Sequence, residues 1–306
     1  MYKRQVYNNK AKNHVNYIAL GNFDGLHKGH LTLIDKVIDL AKENKGKSII
    51  YTFENHPKTL IDSNAKINLL LDNNNKEELL KDRNVDIVYL EKFTEEFMKK
   101  SPEDFIAYIV EKFKIKGIVV GFNYRFGYKN MGDTNLLKEL SSKYNFEVFI
   151  MEPCKLKDKV ISSTRIRKEL LEGNIEDSNK MLTRPYFLEG KVVSGKQIGR
   201  TIGFPTANLE YSKFALLPKE GVYYTNIMWN DKIFKGITSV GNNPTVNGKN
   251  ITVETFILEF NKDIYGDTIK VFFLKKIRDN KKFNSLEELK TQLSKDKSFS
   301  EKEKYM

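Results

Sequence analysis

Two histidines, His27 and His30, lie three residues apart in the stretch Gly21-Asn22-Phe23-Asp24-Gly25-Leu26-His27-Lys28-Gly29-His30. On the opening turn of a helix that spacing puts both imidazoles on one face. A pair of imidazole donors there could stabilise charge developing on a phosphate under attack. Gly21, Gly25 and Gly29 would let the backbone approach a ligand closely. The chain has only four histidines, and a third, His56, closes Thr52-Phe53-Glu54-Asn55-His56-Pro57. Further on, Ile161-Ser162-Ser163-Thr164-Arg165-Ile166-Arg167 joins hydroxyls that cap a helix to guanidinium forks that suit phosphate. An ordinary capped surface helix fits the same residues. A third stretch, residues 195–208, has glycines at Gly195, Gly199 and Gly203, then Thr206 and Asn208. In a strand, Thr206 and Asn208 face the same side and suit a hard cation carrying nucleotide phosphates. A glycine-rich hairpin with Thr and Asn as turn formers is the competing reading. No Walker loop is present.

These residues need elements to hold them. The first half alternates strand and helix patterns. Apolar Val15–Leu20 runs into the His27 turn, and Leu31, Ile34, Ile38 and Ala41 follow at helical spacing. Strands are expected at residues 48–53, 86–90, 118–120 and 146–150, and helices at 102–113 and 134–144. Ser101-Pro102-Glu103-Asp104 supplies a cap, a first-turn proline and an acid at the third position. Such alternation predicts an α/β domain with a parallel sheet covered by helices. After about Leu182 the pattern turns to strands: 187–193, 222–228, 233–240, 252–260 and 268–277. Period-two apolar positions appear at Phe256, Leu258, Phe260 and at Ile269, Val271, Phe273. A helix from Ser285 to about Ser294 follows, and the polar residues from about Ser298 read as a loose tail, as do the first 14. An antiparallel barrel or sandwich with a C-terminal helix fits best.

Length and composition allow two ordinary domains in 306 residues. Net charge is +12, but the lysines are scattered and no run of five basic residues occurs. Nucleic acid is therefore not expected as the main partner, and the charge also suits ATP and flavin phosphates. No apolar run reaches the ~20 residues that span a bilayer, and the N-terminus leads into Asn and Lys rather than a leader. Cys154 is the only cysteine and cannot form an internal disulfide. The cytoplasm is the expected compartment.

The decapeptide 21–30 resembles the nucleotidyltransferase motif of the prokaryotic bifunctional riboflavin kinase/FAD synthetases. Three more stretches resemble that family in order: Thr52–Pro57, Gly121-Phe122-Asn123-Tyr124-Arg125-Phe126-Gly127, and Ile161–Arg167. Gly199-Arg200-Thr201-Ile202-Gly203-Phe204-Pro205-Thr206-Ala207-Asn208 resembles the motif of its riboflavin kinase half, and Gly221-Val222-Tyr223, Val253-Glu254-Thr255, Ile277-Arg278 and Lys282-Phe283 continue the match. The loop after Gly127 departs from the pattern, with Asn130 where members often carry Arg. The resemblance implies an N-terminal Rossmann-like nucleotidyltransferase domain, residues 1–182, and a six-stranded β-barrel kinase domain, residues 183–306. It implies that Gly21, Phe23, Asp24, Gly25, Gly29, Ser163, Thr164, Arg165 and Arg167 bind ATP, with His27 and His30 on its phosphates and Asn123 positioning the reacting groups. In the second half it places Gly199 and Gly203 at ATP, Mg2+ on Thr206 and Asn208, and Glu254 as general base. His56, Phe126, Arg278 and Phe283 are expected near the flavin. Riboflavin, FMN and ATP are the implied substrates. A chain with only one activity retained, or a basic nucleic-acid-binding or flavin-sensing protein on the same fold, is the alternative.

Overall fold

The computed structural model describes residues 15–55, 68–195, 199, 202–242 and 251–306. The chain divides into two compact units, 1–163 and 164–306.

In the first unit, β1 (Asn16–Leu20), β2 (Lys47–Phe53), β3 (Ile87–Glu91), β4 (Ile115–Gly121) and β5 (Glu147–Met151) form one sheet in the order β3-β2-β1-β4-β5. Every pairing is parallel. Among the described residues the helices here are α1 (Lys28–Glu43), α2 (Asn73–Asp82), α3 (Glu95–Met98), α4 (Pro102–Phe113) and α5 (Thr134–Tyr144). α1 buries Leu31, Ile34, Ile38 and Ala41, the stripe its spacing predicts, together with Leu33, Val37 and Leu40. α4 starts as expected, with the Ser101 side chain accepting from the Asp104 N–H and proline in the first turn. Its Phe105, Ile106, Ile109 and Phe113 pack with Leu137 and Leu140 of α5 on sheet residues Ile18, Leu20, Ile49, Ile118 and Val120. The sequence pattern missed α2, because Asn73–Asp82 is polar on most sides and buries Asn75 and Lys76 beside Leu80. A two-stranded hairpin, β6 (Lys155–Leu156) and β7 (Lys159–Val160), ends the unit.

The second unit opens with α6 (Ser163–Glu172), whose first residue precedes the division, and α7 (Ile175–Leu182). β8 (Tyr186–Val193), β9 (Thr206–Tyr211), β10 (Gly221–Trp229), β11 (Lys232–Asn242), β12 (Ile251–Ile257) and β13 (Thr268–Arg278) close a barrel in the order β10-β11-β12-β9-β8-β13. Its pairings are antiparallel. Closure removes the exposed edges that a sandwich would keep. Ile269, Val271 and Phe273 are buried as the alternation predicts. β12 differs. Its buried face is Val253, Thr255 and Ile257, while Glu254 and Phe256 point the other way and stay half-buried.

The C-terminal helix, α8 (Leu286–Lys302), runs well past Ser294, and the expected loose tail is docked. Ser300 is fully buried and donates to the Asp296 carbonyl at 2.9 Å. The Tyr224 hydroxyl donates to the Lys304 carbonyl at 2.8 Å, and the Met306 N–H to Asn226 Oδ1 at 2.8 Å. A polar composition hid this end because its partners are backbone groups and a buried amide, not apolar surface. Among the described residues no helix is long and apolar enough to cross a membrane.

Candidate active sites

The strand order reverses direction between β1 and β4. Ligands bind at such a switch point, outside the C-terminal strand ends. The turn 21–27 leaves β1 and the loop 121–127 leaves β4, so the first and third matched stretches meet there. The turn is tight. Phe23, Gly25 and Leu26 all have positive φ, and Gly25, at φ 81, sits where a side chain is strained. Asp24 directs its carboxylate onto the Leu70 and Leu71 N–H groups, at 3.1 and 3.2 Å, and Ser163 donates to the Asp24 carbonyl at 2.9 Å. These contacts anchor the turn.

His27 is the N-cap of α1, and its Nδ1 accepts from the His30 N–H at 3.3 Å. The two rings stack at 3.6 Å with a 17° tilt, and Phe23 meets His30 edge-on at 5.3 Å. Among the described residues, His30 Nδ1 is buried with no hydrogen-bond partner. Burial first, then the His27 and Lys76 charges, hold the His30 pKa well below the usual histidine value. Lys76, from α2, is itself buried, and its Nζ donates to the Asn22 carbonyl at 3.2 Å. The Thr52 hydroxyl donates to the same carbonyl at 2.9 Å. Thr52 belongs to the second matched stretch. His56 lies outside the described residues.

Beside this turn opens a cavity of about 670 Å3 that reaches Gly21, Asn22 and Asn123. Its walls are aromatic: Tyr51, Phe53, Phe93, Phe97, Phe105 and Phe126. Phe126, expected near flavin, stacks with Tyr124 at 5.7 Å and 15°. Under the wall the Glu91 carboxylate accepts from the Tyr51 hydroxyl at 3.1 Å and from Tyr108. Burial, then Glu91, raises the Tyr51 pKa, which keeps the phenol protonated. A large, mainly aromatic-lined cavity that Lys100 and Arg125 also border suits an aromatic ring system with an anionic tail. Phe93, Phe97 and Phe105 come from loops and helices outside the matched stretches. Thr164, Arg165 and Arg167 continue α6 after Ser163, Thr164 exposed and Arg165 3.9 Å from Glu169.

The barrel builds the second site by register. Asn208 of β9 lies opposite Glu254 of β12, Thr206 opposite Phe256, and Ser239 of β11 opposite Glu254. Directly opposed residues in an antiparallel pair share a face, so Thr206, Asn208, Glu254 and Phe256 project together. Thr252 donates to Glu254 Oε1 at 3.3 Å. The backbone at Gly195 lies so close to Asn208 that a Cβ there would sit 2.1 Å from Nδ2. A cavity of about 580 Å3 is bordered by Gly199, Thr206, Glu254, Phe256, Arg278 and Phe283. A second, of about 320 Å3, also reaches Thr206 and runs to Pro205, Lys262 and Tyr265. Gly203, at φ 84, makes the turn before Phe204. Lys196, Gln197, Ile198, Arg200 and Thr201 of this motif lie outside the described residues, as do residues 243–250.

Sequence reasoning missed what holds Arg278. Asp296, 2% exposed on α8, accepts from Arg278 Nε at 3.0 Å and from Nη2 at 2.8 Å, and Gln292 donates to it at 2.9 Å. Arg278 also lies 5.9 Å from the Phe283 ring centre. Leu289 and Leu293 of the same helix border the cavity.

Two family models match the chain. The FAD synthetase model covers residues 9–165 and the riboflavin kinase model residues 182–303. The bifunctional riboflavin kinase/FMN adenylyltransferase of Buchnera aphidicola subsp. Schizaphis graminum is 37% identical over 298 residues, covering 96% of this chain and 95% of that protein. The Bacillus subtilis protein of the same name is 33% identical, covering 92% of this chain and 90% of its own. Among solved structures, a Streptococcus pneumoniae chain titled a macrolide-efflux protein aligns with a TM-score of 0.88 at 33% identity, over 96% of each chain. The shared fold carries over from that structure, and its title does not. With both models in order and similarity along nearly its full length, the chain belongs to the bifunctional riboflavin kinase/FMN adenylyltransferase family.

Proposed function

We propose that this chain converts riboflavin to FMN in the barrel and FMN to FAD in the first unit, each in its own cavity. The observation that carries the reading is the register placing Thr206, Asn208 and Glu254 on one face beside the cavity that holds Arg278 and Phe283. There the ribityl 5′-hydroxyl attacks the γ-phosphorus of ATP, Glu254 takes the hydroxyl proton, and ADP leaves. The side-chain oxygens of Thr206 and Asn208 are a hard donor set, and the Gly195 backbone restrains Asn208, so the residues fit Mg2+. When bound, the ion neutralises phosphate charge. Riboflavin lies against Phe283 and Arg278 in this reading, and the cavity shared through Thr206 takes the nucleotide.

In the first unit the FMN phosphate attacks the α-phosphorus of ATP, forming one P–O bond while the bond to pyrophosphate breaks. No protein nucleophile is required, so orientation and charge stabilisation carry the step. The aromatic cavity takes the isoalloxazine, Asn123 orients the phosphate, and the His27–His30 turn receives the triphosphate. His30 Nδ1, buried and without a hydrogen-bond partner among the described residues, supports a ligand at this turn. The soluble cofactor chemistry supports a cytoplasmic location.

Incubation with riboflavin, ATP and Mg2+, followed by separation of flavins and nucleotides, tests both halves. FMN, FAD, ADP and pyrophosphate are expected. His30→Ala should accumulate FMN. Glu254→Ala should stop riboflavin phosphorylation yet still convert added FMN to FAD, and phosphorylation at the normal rate by that variant would remove the general-base role.

A further inference from the structure

Tyr51 of β2 borders the aromatic cavity but is almost wholly enclosed, 1% exposed. Other rings pack on it: Tyr89 of β3 stacks at 5.6 Å, and Phe53, Phe105 and Phe113 meet it edge-to-face, each at 6.0 Å. Aromatic contacts hold the ring, but they leave the phenolic hydroxyl needing a partner. That partner is Glu91, the last residue of β3. Its Oε2 accepts from the Tyr51 hydroxyl at 3.1 Å and from the Tyr108 hydroxyl of α4. Glu91 stands behind Tyr51, outside the described lining of the cavity. Its own carbonyl accepts from the Glu54 N–H at 2.9 Å, which pins the backbone there. The Tyr108 hydroxyl in turn accepts from Lys112 Nζ, an exposed ammonium 4.2 Å from the Tyr89 ring centre. A line of hydrogen bonds thus runs from a surface cation through Tyr108 and Glu91 to the cavity wall. Burial, then Glu91, raises the pKa of both phenols, so both remain donors.

We propose that Glu91 is a positioning residue for adenylyl transfer, setting FMN affinity by drawing the Tyr51 hydroxyl away from the space the flavin takes. The inference rests on the reading that this cavity takes the isoalloxazine. A hydrogen bond to a carboxylate is stronger and shorter than one between neutral groups. Made from behind the wall, it fixes the tilt of the ring without occupying ligand space. Without the carboxylate the two phenols fare differently. Tyr108 is half-buried and keeps Lys112. Tyr51 is enclosed by rings, and the open space it borders is the cavity, so its hydroxyl turns there for water. A buried donor stripped of its acceptor is destabilising, whereas removing both partners together is nearly neutral. The defect therefore belongs to the stranded Tyr51 hydroxyl, not to the loss of Glu91 as such.

Steady-state kinetics of FMN adenylylation by the full chain, with FMN and ATP varied separately, tests this. Glu91→Leu should raise KM for FMN roughly tenfold, the scale of one buried unsatisfied donor, while kcat and KM for ATP stay within about twofold. Glu91→Leu/Tyr51→Phe leaves no hydroxyl to satisfy and should return KM for FMN to within about threefold of wild type. Glu91→Gln should do likewise, because both phenols use one oxygen and the amide retains one. A general loosening of the first unit would raise KM for ATP as well and would not be undone by a second truncation. An unchanged KM for FMN in Glu91→Leu, or a double variant as poor as the single one, overturns the proposal. Should Glu91→Leu fail to fold, the double variant and Glu91→Gln remain, and a KM for FMN raised in both overturns it. Phe93→Ala with an unchanged KM for FMN would instead remove the reading of the cavity beneath it.

Discussion

Folding selects the neutral imidazole of His30. Its pKa in the folded chain lies below the unfolded value near 6.5, so below that pH the unfolded chain binds the extra proton more readily. The stability this residue contributes is complete above 6.5 and is lost as pH falls toward the folded value. The first unit should therefore melt at lower temperature at pH 5.5 than at 7.5, and His30→Gln should flatten that dependence. Trp229, the only tryptophan, lies in the barrel, so its fluorescence tracks the second unit while helical circular dichroism is weighted to the first. A Trp229 signal that carries the whole pH effect would refute the assignment. His27 and His30 were legible in the sequence because they fall in one turn. Lys76 was not, because 54 residues separate it from the carbonyl it holds and its neighbours Asn73, Asn74 and Asn75 carry no pattern.

Among the elements, α8 is the one whose role grew most on folding. Its cap at Ser285 and its start could be read directly, with Ser285 accepting from the Glu288 N–H as a capping motif predicts. Its last two turns could not, since they are polar and hold Asp296 and Ser300 inward. Arg278 and Asp296 are 18 residues apart and meet only because β13 and α8 do. Asp296→Ala strands a mostly buried guanidinium, so a loss of about 3 kcal/mol is expected. The barrel midpoint in urea should fall accordingly. In the folded remainder KM for riboflavin should rise more than kcat falls, with FMN adenylylation unchanged. An unaltered KM for riboflavin would show that α8 does not steer Arg278 toward the flavin. Thr206 and Asn208 were legible as a same-side pair, but neither their pairing with β12 nor the inward face of β12 was. Phe256 and Leu258 looked like a core alternation, yet the strand ends at Ile257 and Phe256 turns to the cavity.

At the scale of the chain, the change of pattern near Leu182 and the division after Ser163 mark different things. The first is where strands begin. The second is where contacts change allegiance, since α7 buries Ile175, Met181 and Leu182. Asn179 bridges to the barrel, donating to the Phe273 carbonyl and accepting from the Tyr186 N–H, both at 2.8 Å. Lys219 N–H likewise donates to the Leu170 carbonyl at 2.9 Å. A fragment starting at Thr164 should thus melt several degrees above one starting at Thr183, and equal midpoints would place the working boundary at the strand side. Thr206 borders both barrel cavities, which makes it a partition with two doorways. Nucleotide and vitamin need not queue for one entrance, so a compound blocking either doorway should be noncompetitive toward the occupant of the other. A tethered inhibitor reaching through both would have to pass Thr206, so its bridge must fit around that one side chain.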